Sequence, residues 1–189
     1  MEEVRPRLLD HPFYQAWTRG ELPLESLAAY HRAYTGFIAR IPSWWDTVVT
    51  HFGETSLLAR TVVKEEESHI ELWKRWGRDL PEPVSPPSLA YTINAFDDLS
   101  PAGLLGALQS FEIQQPEVAR TKKEGLIRHY GFSPNALQYF DEHQKEEKHI
   151  NFGARIAELA NESEYAEGFA LGASLVYRSL DEFVAPGRC

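Results

Sequence analysis

Apolar residues recur along this chain every three or four positions, the period of an amphipathic helix, and seldom in the strict alternation of a strand. Leu27, Tyr30, Tyr34, Phe37, Ile38 and Ile41 mark one face of a long helix over residues 24–50. Pro42 should kink it, because proline lacks an N–H and crowds the preceding turn, and Gly53 ends it. Leu57, Leu58, Val62, Val63, His69, Leu72, Trp73 and Trp76 mark the next helix, over residues 55–80. Ser100-Pro101 supplies a cap and a first-turn proline for a helix carrying Leu104, Leu105, Leu108 and Phe111. Pro116 breaks that helix before residues 118–130, and Gly131 stops it. Ser133-Pro134 repeats the start signal and opens a helix read as unbroken to residue 160. Asn161, with Glu164 three residues later, resembles a capping box and starts the last helix, to residue 183. Shorter helices are expected over 13–18 and 89–97, with a helical turn at 5–9.

No Asn-Gly or Asp-Gly hairpin turn separates alternating segments, and no fixed-period repeat is present. Residues 81–87 are proline-rich but too short to divide domains, and read as a stiff surface connection. The expectation is one all-α domain over residues 1–189, with seven helices packed as a bundle around one core.

One stripe breaks the apolar pattern. At about 100° per residue, Tyr139, Glu142, Glu146, His149, Gly153 and Ile156 share a face of the 133–160 helix. Its ends are core-type and its middle is acidic, which points to a cation. The same small pattern occurs twice: Glu66-x-x-His69 and Glu146-x-x-His149. Residues three apart share a helix face, and two such Glu/His pairs on facing helices form the two-metal sites of carboxylate bundle proteins. Glu112, beside Phe111, and Glu142, one turn before Glu146, offer further carboxylates. Oxygen donors with two imidazoles suit iron or manganese better than copper(I) or structural zinc. The plainer alternative is a solvated face, since Glu65-Glu66-Glu67 also reads as a charge run.

Composition narrows the classes. The net charge of −9, from 28 acids against 19 Lys and Arg, argues against nucleic acid as the main partner. No apolar run reaches the roughly 18 residues of a membrane span. Met1 is followed by Glu2, Glu3, Val4 and Arg5, not by a signal peptide's basic and apolar leader. The single cysteine, Cys189, leaves no internal disulfide and fits a reducing cytoplasm.

Four stretches carry a resemblance. His11-Pro12-Phe13-Tyr14-Gln15-Ala16-Trp17 with Gly20, Glu21, Leu22 and Tyr30 is the first, and Ser68-His69-Ile70-Glu71-Leu72-Trp73 the second. Residues 111–119 with Lys122, Gly125 and Leu126 are the third, and Tyr139-Phe140 with the acidic run after it the fourth. Together they resemble the haem-oxygenase-like superfamily of TenA and PqqC relatives, in particular its non-haem di-iron branch of the para-aminobenzoate-making type. The resemblance implies a seven-helix haem-oxygenase-like bundle, commonly a homodimer. It implies an iron-dependent oxidoreductase that activates O2 with two Fe per chain, Mn being the alternative metal, and takes electrons from a donor. Its substrate would be a small molecule or the protein's own side chains.

The resemblance also implies metal ligands at His69 and Glu112, another at Glu65 or Glu66, and three in the fourth stretch. Spacing favours Glu66. In the fourth stretch the last histidine gives Glu142, Glu146 and His149, with His143 as the alternative to Glu142. Counted forward from His143, the family pattern reaches Ile150, which cannot bind metal. Tyr14 matches a tyrosine that serves as the ring source, Lys122 the lysine implicated as amine donor, and Tyr139 a tyrosine near the metals. A family tyrosine is replaced by Phe111. The competing class is a metal-free relative: an oxidase of the PqqC type, a haem binder using His11, or a non-catalytic small-molecule-binding protein. A TenA-type thiaminase lacks its internal cysteine here.

Overall fold

In the computed structural model, which describes residues 5–145 and 147–184, the described residues contain α-helices and short 3-10 turns and no strand. Ten α-helical segments follow one another: α1 (Pro12–Arg19), α2 (Leu24–Ile38), α3 (Ile41–His51), α4 (Leu57–Trp76), α5 (Ala90–Asp97), α6 (Pro101–Glu112), α7 (Gln115–Tyr130), α8 (Gln138–His143), α9 (Glu147–Ala157) and α10 (Glu162–Ser179). Three of the joints, α2/α3, α6/α7 and α8/α9, are breaks of a few residues within longer units. Counting each such pair once leaves the seven units expected from the sequence.

Two breaks have a proline behind them. Pro42 lies in the first turn of α3 and cannot donate to the carbonyl of Ile38, where α2 ends. Pro116 does the same to Glu112, so α6 stops with that glutamate at its last position. The expected caps are present: Ser100 Oγ accepts from Gly103 N, and Asn161 Oδ1 from Glu164 N. Gly131 closes α7 with φ of 71°.

The third break corrects the unbroken 133–160 helix. Pro134–Leu137 form a 3-10 turn, α8 runs only to His143, and α9 starts at Glu147. His143 and Gln144 turn their side chains back onto the carbonyls of Tyr139 and Phe140, which competes for the acceptors of a regular ladder. The break has a steric purpose. Six residues apart on an unbroken helix, His143 and His149 would point about 120° away from each other. Both are buried.

The centre of the bundle is α6, whose residues from Ala102 to Glu112 are all buried. It lies so close to α10 that a Cβ on Gly106 would stand 2.1 Å from the carbonyl oxygen of Tyr165. Trp17, Trp45, Trp73, Trp76, Tyr30 and Phe37 fill the space between the other helices, each at 1% exposure or less. Within a core this aromatic and this tightly packed, two clusters of buried ionisable side chains stand out.

Candidate metal centre

The first polar cluster joins four helical segments. Glu66 and His69 project from one face of α4, Glu112 closes α6, His143 closes α8, and His149 lies in the first turn of α9. All five are at least 95% buried. Their ligand-type atoms form two groups, Glu66 with His69 and His143, and Glu66 with Glu112 and His149. Within each group the atoms lie within 4.8 Å of one another, and Glu66 belongs to both. Glu66 Oε1 stands 2.8 Å from His149 Nδ1, and Glu66 Oε2 stands 3.4 Å from His69 Nδ1. The imidazoles of His69 and His143 are 4.5 Å apart between centroids.

Charge and hydrogen bonding prepare these atoms for a cation. Burial alone pushes the Glu66 carboxyl up, but the His149 and His69 rings outweigh it and hold the group well below the usual carboxylate range. Glu66 Oε1 is fully buried, with His149 Nδ1 2.8 Å away. An ionised carboxylate in an apolar interior is costly unless positive charge or a donor joins it. His143 Nδ1 lies 2.7 Å from the carbonyl oxygen of Tyr139. The N–H therefore sits on Nδ1, and Nε2 keeps its lone pair for a metal. The donor set of carboxylates and imidazoles without thiolate suits iron or manganese. The residues fit a two-metal centre.

The other candidates fall differently. Glu142 is exposed and lines the mouth of a cavity of about 740 Å³ next to His69, outside both groups. Glu65 also lines that cavity, with Oε2 3.1 Å from His149 Nε2 and Oε1 2.5 Å from Lys148 Nζ. Glu146 lies outside the described residues.

The second cluster holds Tyr14 of α1, Tyr30 of α2 and Lys122 of α7, all within the core. Lys122 Nζ donates to the Tyr30 hydroxyl at 2.6 Å, and the Tyr30 and Tyr14 hydroxyls are 3.4 Å apart. The ammonium position also lies 5.3 Å from the Tyr14 ring centroid. Desolvation lowers the Lys122 pKa to about 7. Burial raises those of Tyr14 and Tyr30 well above a free phenol's. Tyr139 joins the two clusters. Its ring stacks on His143 at 4.0 Å and meets Trp73 edge-on at 5.0 Å, and Trp73 lies 6.0 Å from Tyr30. Tyr30 and Trp73 were read from the sequence as core and signature residues without a place in the site. Only their positions in the fold, Tyr30 against Lys122 and Trp73 between Tyr30 and Tyr139, mark them out.

His11 has a structural task. Its Nδ1 accepts from Phe13 N at the start of α1, and its Nε2 lies 3.1 Å from Asp181. Cys189 is outside the described residues. No helix of the described residues is long and apolar enough to cross a membrane.

A buried, shared carboxylate flanked by imidazoles on an all-α bundle defines a class, and comparison with known proteins agrees. Residues 58–180 match the family of iron-containing redox enzymes, and the chain belongs to that family. It is an iron-dependent oxidoreductase with a haem-oxygenase-like bundle. Among individual proteins, it is similar to the 4-aminobenzoate synthase of Chlamydia muridarum, 28% identical over 96% of this chain and 86% of that protein. It is also similar to the 4-aminobenzoate synthase of Nitrosomonas europaea, 32% identical over 72% of this chain and 67% of that protein.

Proposed function

We propose that this chain makes para-aminobenzoate from its own side chains, with Tyr14 supplying the ring and Lys122 the amine. The observation that carries the reading is the buried pair itself. An amine brought to neutrality near pH 7 by desolvation sits one hydroxyl away from Tyr14. An exposed lysine would be protonated and unable to act as a nucleophile. The similarity to 4-aminobenzoate synthases supports the same product.

Two irons would be held by Glu66, His69, Glu112, His143 and His149, with manganese as an alternative metal. When bound, the metals supply the means to activate O2, using electrons from a donor. The protein's part is to fix ligand geometry and keep water from the reacting side chains. Tyr139 stacks against His143 and faces Trp73, which places an oxidisable ring between the metal positions and Tyr30. The resemblance to dimeric relatives supports a homodimer, and the lone cysteine supports a reducing, cytoplasmic setting.

A second reading rests on the cavity beside His69. Its size admits a small polar substrate that is oxidised in place of Tyr14. One experiment separates the two. Protein grown with ring-labelled tyrosine is loaded with iron and given O2 and a reductant, with no other substrate. Labelled para-aminobenzoate is expected, and Tyr14→Phe should abolish both it and the rescue of a para-aminobenzoate auxotroph. Full product from Tyr14→Phe excludes Tyr14 as the ring source. Product that appears only with an added substrate supports the cavity.

A further inference from the structure

Glu65 and Glu66 are neighbours on α4 and meet opposite ends of one imidazole. Glu66 Oε1 stands 2.8 Å from His149 Nδ1, and Glu65 Oε2 stands 3.1 Å from His149 Nε2. Glu66 is buried, whereas Glu65 keeps 35% of its side chain exposed at the cavity rim. We propose that Glu65 is a positioning residue: it accepts the Nε2–H of His149 and so commits Nδ1 to the metal position shared with Glu66 and Glu112.

The chemistry requires some such group. A histidine that binds a metal keeps one nitrogen bare and carries its proton on the other, and the hydrogen bond at the second nitrogen selects the tautomer. His143 has this arrangement in the opposite sense, with its Nδ1–H held by the Tyr139 carbonyl. That carbonyl belongs to the helix of His143 itself. His149 lies just past the break between α8 and α9, so its own helix is not continuous with the segment that carries His143. Its orienting acceptor comes instead from α4. Lys148 adds a second tie, donating to Glu65 Oε1 at 2.5 Å. Two consecutive residues of α9 are thus anchored to one carboxylate. These contacts hold the Glu65 carboxyl below its ordinary value, although burial pushes it up. The carboxylate lies outside both ligand groups, which separates its role from that of Glu66.

This inference rests on the two-metal reading, and the test distinguishes their failures. Wild type, Glu65→Ala and Glu65→Gln, each as the whole 189-residue chain, are titrated with Fe(II) without oxygen, in competition with a colorimetric chelator. Proton spectra of the loaded proteins follow the hyperfine-shifted, solvent-exchangeable imidazole N–H signals. Wild type is expected to bind two ions. Glu65→Ala should weaken one of them about 10- to 100-fold and lose one exchangeable N–H signal. Glu65→Gln should keep both, because the carboxamide oxygen accepts the same hydrogen bond. Wild-type affinity and signals in Glu65→Ala overturn the positioning role alone. Equal losses in Ala and Gln also overturn it, since the carboxylate itself is then a ligand. Wild type that binds no iron overturns the metal reading and this inference with it. Metal-free melting curves show whether each variant folds, and the Gln result stands by itself if the Ala variant does not.

Discussion

Two clusters of buried charge-bearing side chains, around Glu66 and around Lys122, are treated in opposite ways. Around Glu66, acids and imidazoles lie together on α4, α6, α8 and α9. There the carboxylate stays ionised despite full burial, because two histidines stand within 3.4 Å. Around Lys122 the neighbours are the phenols of Tyr14 on α1 and Tyr30 on α2 and the indole of Trp17 on α1, with no carboxylate in contact among the described partners. The amine therefore loses charge where the acid keeps it. Both groups are buried, and partners decide the outcome. The first place suits a cation, and under the proposed function the second keeps an amine reactive.

The largest effects should come from breaking the first place. Glu66→Ala should empty both metal positions, because both groups share that residue. His143→Ala should lose the ion it shares with His69, whereas Glu142→Ala should keep wild-type iron, since Glu142 is exposed at the cavity mouth. Iron counted per chain after anaerobic loading checks all three. Iron loss on Glu142→Ala with retention on His143→Ala would reverse the assignment.

That pair of residues shows where the sequence stopped being legible. Caps and breakers announce most of the fold. Ser100, Asn161, Gly131, Pro42 and Pro116 each mark a boundary with a local chemical reason, and the structure has a boundary at each. The shared face of Glu66 and His69 followed from i,i+3 spacing within α4, an intact helix, and the burial of Glu112 from its place one turn after Leu108 on α6. The break between α8 and α9 carries no proline or glycine. Extending one helix through it put Glu142 on the inward stripe and turned His143 away. The break rotates the frame, and His143 faces in. Lys122 was named only through the resemblance, for another reason. Beside Lys123 it looks like half of a solvated pair, yet Lys123 meets Asp141 while Lys122 enters the core. Only the approach of α1 and α2, far away in sequence, separates them.

Lys122 gives the second prediction, on stability. Its folded pKa of about 7 lies below the ordinary 10.5. Between those values the unfolded chain holds a proton that the folded chain does not. Stability contributed by this site therefore rises as pH rises through that window, and the cost of burying the amine is fullest below it. Lys122→Met removes the titration. Relative to wild type, its unfolding free energy should be highest near pH 6 and fall by roughly a few kcal/mol towards pH 10. Urea denaturation across that range measures the difference. A difference that does not vary with pH would mean that the amine is charged inside the fold, and the contrast with Glu66 would fail.

The smallest effect concerns Tyr30, which separates geometry from charge in the second place. Its hydroxyl is the 2.6 Å acceptor for Lys122 and the 3.4 Å neighbour of Tyr14. Tyr30→Phe keeps the ring that packs against Phe13, Tyr34 and Trp73 and removes only the hydroxyl. Losing one neutral hydrogen bond to a buried donor should cost about 1 kcal/mol, or somewhat more because Lys122 is left without that acceptor. The metal positions lie beyond Trp73 and Tyr139, so bound iron should not change. Para-aminobenzoate formed per chain should fall without vanishing, because Tyr14 and Lys122 both remain while the hydroxyl that aligns them is gone. Unchanged yield would place alignment in the ring packing alone. Yield lost as completely as in Tyr14→Phe would make the Tyr30 hydroxyl a participant in the chemistry, and the second place would then need three reacting side chains instead of two.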